Sequence, residues 1–205
     1  MKKNISKEQV IDTVLELLKN DSDINKLNFR EIARTLGCAH TNLYNYFPSY
    51  NDLLWESHSA ILNNFIMEIK SRMSDEIAEH SVTSFFEVIV NMYMDNKGWF
   101  RLSWHEYIKG ERPESDIETA KNANQFLNDY AMVICEKVFS KCPDRQRVKR
   151  ILHNTHCYII GEISNYLLGR SFADNEAEFR KYIINEAALM FRLCLIGSAD
   201  TGRNI

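Results

Sequence analysis

Residues 28–47, NFREIARTLGCAHTNLYNYF, read as two short helices joined at a glycine. Asn28 and Glu31 have the spacing of a capping box, in which the Asn side chain accepts an amide of the first turn and the Glu reaches back. Ile32, Ala33 and Leu36 then share one apolar face. Gly37 stands where a helix closes in the left-handed region that glycine enters at least cost, and Ala39–Tyr46 forms a second, eight-residue helical run. This is the layout of a helix-turn-helix, a hairpin that holds its second helix out for a groove.

The same residues resemble the TetR-type bacterial transcriptional repressors. That family's pattern is matched by Glu31-Ile32-Ala33, Leu36-Gly37 and Leu43-Tyr44-Asn45-Tyr46-Phe47. Upstream, Ile11, Val14 and Leu18 look like its first helix, and downstream the match runs through Asp52-Leu53-Leu54, so the resemblance covers residues 5–65. It implies an all-α protein with a three-helix DNA-binding head at 5–65 and a helical effector-binding and dimerisation body at 66–205. His40 and Thr41 resemble the family's base-edge readers, and Asn42, Tyr44 and Tyr46 its phosphate contacts. Asn28, Arg30, Ala39, Asn45 and Tyr50 complete the expected DNA-facing set. Three departures stand out. Cys38 replaces an aliphatic residue, Ala39 replaces a Ser or Thr that would cap the recognition helix, and Tyr50 replaces a lysine, removing an expected phosphate contact.

Composition agrees with long helices. Seven Gly and three Pro in 205 residues leave few breakers, and 45% hydrophobic content supplies a core. The formal net charge of −3 is not the footprint of a general nucleic-acid binder. Residues 1–55 carry seven basic and seven acidic side chains, so DNA affinity has to come from a few placed contacts and from dimerisation. The five cysteines form no C-x-x-C pair and read as reduced, mostly buried thiols. With no signal peptide and no run of 18 apolar residues, the chain reads as cytoplasmic with no membrane partner.

Beyond the motif, apolar spacing predicts further helices. One long helix runs from Asn51 to about Met73, with Leu54, Ile61, Phe65 and Ile69 in its stripe. Ser81–Asn96 follows, then a short aromatic segment at Trp99–Ile108, a loop at 110–114, and Asp116–Phe139 with Ala120, Ala123, Leu127, Tyr130, Val133 and Ile134 inward. The last two helices, Arg147–Leu168 and one ending in Ala187–Ile196, are broadly apolar and must be covered by something. In the resembled family they pair with their copies, which makes Ile159, Ile163, Tyr166, Leu167, Ala187, Leu189, Met190 and Leu193 the expected homodimer interface. The alternative is burial within the chain itself.

Aromatics at Tyr93, Trp99, Trp104 and Tyr130, with His105 and Asn124, have the makeup of a small-molecule pocket between helices. Plain core packing is the competing reading, and the resemblance favours an effector whose identity stays open. His153, His156 and Cys157 offer two ligands on one helical face, short of the three or four a zinc site needs, so no metal or cofactor is assigned. No phosphate loop, nucleophile elbow or carboxylate pair marks an enzyme, and no catalytic residue is expected. The chain therefore reads as a sequence-specific regulator, a repressor released from a palindromic double-stranded DNA operator by a small molecule. A constitutive dimeric DNA-binding protein and a Cys/His-dependent enzyme are the alternatives.

Overall fold

The computed structural model describes residues 5–20, 26–73, 80–139 and 144–196. Among these residues there is no strand. The helices are α1 (Lys7–Asn20), α2 (Phe29–Leu36), a 3₁₀ helix (His40–Asn45), α3 (Tyr50–Arg72), α4 (Ser81–Asp95), α5 (Lys97–Trp104), α6 (Glu114–Val138), α7 (Arg145–Leu167) and α8 (Glu176–Ile196). Their bounds fall within a few residues of those read from apolar spacing. The exception is the recognition segment, where the expected eight-residue helix is a six-residue 3₁₀ helix. No helix among the described residues is long and apolar enough to cross a membrane.

The chain divides into two compact units, Met1–Met67 with Tyr93–Ala123, and Glu68–Met92 with Asn124–Ile205, with boundaries that fall inside α3, α4 and α6. The 65/66 boundary read from sequence lies inside α3, which runs through it unbroken.

In the first unit, Val10, Val14, Leu18, Ile32, Leu43, Phe47 and Leu53 form a core that also takes in Leu102 from α5 and Ile108 beyond it. The docking of α5 on α1 explains why a segment so far along the chain joins the motif. A Cβ built on Gly98 would lie 2.1 Å from the Leu18 carbonyl oxygen, so only glycine lets the two backbones approach this closely. One residue on, the Trp99 indole N–H donates to the Leu15 carbonyl at 2.9 Å.

In the second unit, α7 packs along α8. Ile159 and Ile163 from α7 and Phe179, Ile183, Ala187 and Phe191 from α8 are buried, each large apolar side chain contributing about 1.5–3 kcal/mol. Arg147, part of a basic run without an evident role in the sequence, donates through Nη2 to the Cys194 carbonyl at 2.7 Å. A cation thus satisfies a carbonyl in the last turn of α8, the end that carries the negative pole of the helix dipole. On α6, Val133 is exposed rather than inward, and Ala131 takes the buried position.

Candidate nucleic-acid interface

The hinge of the motif is built from local hydrogen bonds. Asn28 Oδ1 accepts the Arg30 and Glu31 amides at 3.0 and 3.1 Å, which starts α2. Glu31 does not close the box. Its carboxylate turns to Arg34, taking Nε at 3.1 Å, because that cation lies one turn ahead on the same face. Gly37 adopts φ 69° and ψ 38°, and the Cys38 amide donates back to the Ala33 carbonyl at 2.9 Å. The chain leaves α2 through this left-handed turn.

The recognition segment then tightens. Ala39 supplies no side-chain cap, and the Asn42 and Tyr46 amides bond three residues back, to the Ala39 and Leu43 carbonyls, each at 3.0 Å. Thr41, Asn42 and Asn45 are poor α-helix formers, which leaves the tighter winding competitive over so short a run. Leu43 is fully buried and anchors the segment, while His40, Thr41, Tyr44 and Asn45 are exposed and Asn42 is half-buried. Three residues per turn align Thr41 with Tyr44 and Asn42 with Asn45.

Beside this edge lies an open cleft of about 470 Å³ lined by Asn28, Phe29, Arg30, His40, Tyr44 and Tyr50. Arg30 and His40 are its basic groups, and no carboxylate lines it. Phe29, which sequence reasoning passed over, is the platform: the rings of Tyr44 and Tyr50 meet it edge-on at 4.9 and 5.8 Å. An aromatic residue in the first turn of α2 was the available signal.

Two of the expected DNA contacts are spent inside the chain. The Tyr46 hydroxyl donates to the Ile5 carbonyl, and the Tyr50 hydroxyl to the Leu27 carbonyl at 2.7 Å. Burial, with Glu106 adding negative charge nearby, pushes the Tyr50 hydroxyl well above its ordinary pKa and keeps it a neutral donor. The tyrosine standing where a lysine was expected is thus a strut between the start of α3 and the residues before α2. Tyr44 keeps its ring half in solvent and is the tyrosine positioned to meet a partner.

The aromatic set separates. Tyr93 is buried in the first unit, stacked on Phe65 at 5.7 Å and met edge-on by Phe100 and Trp104 at 5.3 and 6.5 Å. Trp104 and His105 reach solvent. Trp99 stands apart from this cluster, its indole committed to α1. Tyr130 belongs to the second unit, stacked on Phe85 at 5.8 Å, and Asn124 is exposed in the same unit.

The expected interface residues separate as well. Ile159, Ile163 and Ala187 are fully buried within the chain, which leaves them no surface to offer a second copy. Tyr166 stacks on Phe179 at 4.4 Å, and Leu167 and Met190 are not fully covered. Leu189 and Leu193 remain 47% and 58% exposed, continued by Ile196 at 62%. On α7, His153 and Cys157 are both exposed, Cys157 against the expectation of mostly buried thiols, with Cys157 Sγ 3.6 Å from His153 Nε2. Burial, reinforced by His153, lowers the His156 pKa to about 4. Cys38 is half-buried, Cys135 buried and Cys194 exposed, while Cys142 lies outside the described residues.

No protein-family model matches the chain, and no curated protein matches it by sequence. Solved structures do. The chain is similar to FadR, a fatty acid degradation regulator from Bacillus halodurans, at 19% identity over 97% of this chain and 98% of that one, with a TM-score of 0.64. It is similar to a TetR variant from Acinetobacter baumannii AYE in complex with minocycline, at 18% identity over 92% and 96%, with a TM-score of 0.60. PfmR, a TetR family transcriptional regulator from Thermus thermophilus, aligns at 15% identity over 90% and 97%, with a TM-score of 0.59. The likeness spans nearly the whole of each chain and establishes the fold, the all-α architecture of TetR family regulators.

Proposed function

We propose that the chain is a DNA-binding transcriptional regulator, a homodimeric repressor that reads a palindromic operator and releases it when a small molecule binds. The observation that carries this reading is the exposed polar edge of the 3₁₀ helix beside a cleft whose charged side chain is Arg30. His40 and Thr41 read base edges in the major groove, with Asn45 beside them, while Asn42 meets a phosphate. Tyr44, Arg30 and the Asn28 end of α2 hold the phosphates, with Ala39 approaching the backbone. Residues 5–65 form the DNA-reading head and residues 66–205 the dimerising, effector-binding body.

Dimerisation through α7 and α8 is supported by the apolar row Leu189, Leu193 and Ile196, which a solitary chain would leave in water. Two-fold symmetry then presents two heads to half-sites about 34–36 Å apart. The bound minocycline in one similar structure supports an effector in the body, and Tyr93, Trp104 and His105, or Tyr130 with Asn124, are the side chains offered to it. Such a molecule acts only through unequal affinity for the free and DNA-bound forms. A regulator of this kind needs no catalytic residue and works in the cytoplasm.

The experiment is operator selection from a random duplex library, followed by anisotropy titrations of the selected site with wild type, His40→Ala, Arg30→Ala and Tyr44→Phe. Altered base preference in His40→Ala and uniform weakening in the other two are expected. Recovery of no preferred sequence by the wild-type dimer would defeat the reading.

A further inference from the structure

His153 and Cys157 have no part in that reading. They stand one turn apart on α7, both exposed, with their donor atoms 3.6 Å apart. Zinc bonds of about 2.0–2.1 Å to imidazole nitrogen and about 2.3 Å to thiolate sulfur, opened at the tetrahedral angle, separate N and S by about 3.6 Å. The two side chains already hold the spacing of adjacent ligands on a single tetrahedral ion. Imidazole with thiolate is also a donor pair suited to zinc and cobalt rather than to calcium or magnesium.

One chain cannot finish the site. Among the described residues no group of three or more His, Cys, Asp or Glu is gathered to hold a metal, whereas a tetrahedral centre takes three or four protein ligands. A second copy related by a two-fold axis running beside this stripe supplies the missing pair, because residues that lie at such an axis meet their own mates. Gly161, one further turn along the same exposed stripe, is an independent sign of close approach. A Cβ there would meet nothing within 4 Å, so the chain's own packing does not require glycine. Mid-helix glycine nonetheless costs about 1 kcal/mol relative to alanine. A bare helix surface at this point lets another helix come near enough for the two pairs to meet.

We propose that His153 and Cys157 are one half of a metal site shared between two copies of the chain, a His₂Cys₂ tetrahedron for a zinc-like divalent cation. The proposal rests on the α7–α8 dimer proposed above. On binding, each thiol gives up its proton to solvent and each imidazole coordinates through Nε2 as the neutral ring.

The test titrates the full chain with cobalt(II), in a reductant that does not bind metal, and follows visible and near-ultraviolet absorption. The result expected is a thiolate-to-cobalt band and strong tetrahedral d–d bands, saturating at one metal per two chains and displaced by zinc. Cys157→Ser should abolish the thiolate band, His153→Gln should weaken cobalt binding at least tenfold, and Cys194→Ser should change neither. Sedimentation of the same samples separates the two readings. A dimer without a saturable thiolate band overturns the metal site and leaves the dimer standing, as does a band that survives Cys157→Ser. A chain that stays monomeric and binds no cobalt overturns both, and saturation at one metal per chain overturns the shared site.

Discussion

His58 Nδ1 lies 2.8 Å from Asp116 Oδ1, tying the middle of α3 to the first turn of α6 within the first unit. Asp116 is 1% exposed, and its other bonds come from Ser59 Oγ at 2.7 Å and Arg112 Nε at 2.6 Å. The Arg112 guanidinium in turn lies over the Trp55 ring, 5.5 Å from its centroid. Burial alone would raise the carboxyl pKa, but the bonds from His58, Ser59 and Arg112 outweigh it and hold the group below the usual carboxylate range. Asp116→Ala leaves the buried His58 imidazole without its partner and releases a part-exposed guanidinium, and should cost about 1–3 kcal/mol in urea unfolding. The pH dependence has a definite sign. With its native pKa below the unfolded value of about 3.9, the carboxylate contributes fully above that pH, and its contribution is lost as pH falls through the native value. Asp116→Asn should therefore flatten the acid limb of a stability profile while leaving the limb above neutrality parallel to wild type.

The contact between Gly98 and the Leu18 carbonyl makes α5 sensitive to a single methyl. Gly98→Ala forces the backbones of α1 and α5 apart, with an expected loss of about 3 kcal/mol. Thermal unfolding checks the loss. The same change at Gly161, which has open space around it within the chain, should leave the helix content of the second unit unchanged.

Three tyrosines near the motif should divide by what they hold. Tyr50→Phe and Tyr46→Phe each remove an internal hydrogen bond and should cost about 1 kcal/mol of stability, with operator affinity nearly unchanged. Tyr44→Phe should do the reverse. Paired denaturation and anisotropy measurements on the three variants decide it, and equal losses of affinity in all three would return Tyr46 and Tyr50 to the DNA surface.

Arg30→Ala should reduce the slope of log affinity against log salt by about one per head, because one phosphate contact and its released counterion are lost from each. Titrations at several salt concentrations suffice, and an unchanged slope would remove Arg30 from the phosphate contacts.

Charge placed on α7 and α8 should act in two ways. Ile163→Lys buries an ammonium in the packed face and should unfold the second unit, as circular dichroism would record. Leu193→Lys and Leu189→Lys alter side chains already in solvent, so the helices should persist while sedimentation shifts from dimer to monomer. A Leu193→Lys protein that remains dimeric would move the interface off this face.

The sequence alone determined whatever is closed by bonds spanning a few residues. The Asn28 cap, the left-handed turn at Gly37, the buried face of Ile32 and Leu43, and the extents of α3, α4, α6 and α7 are local matters of spacing, breakers and caps. Tertiary structure decided where long side chains spend their polar ends. Tyr46 finds Ile5, Tyr50 finds Leu27, Trp99 finds Leu15, His58 finds Asp116 and Arg147 finds the end of α8, over separations of 23 to 84 residues that no periodicity encodes. It also decided which apolar residues of the last two helices are consumed at home and which stay in water. A helix's apolar spacing counts its hydrophobic faces, but the neighbour that covers each face is chosen by packing.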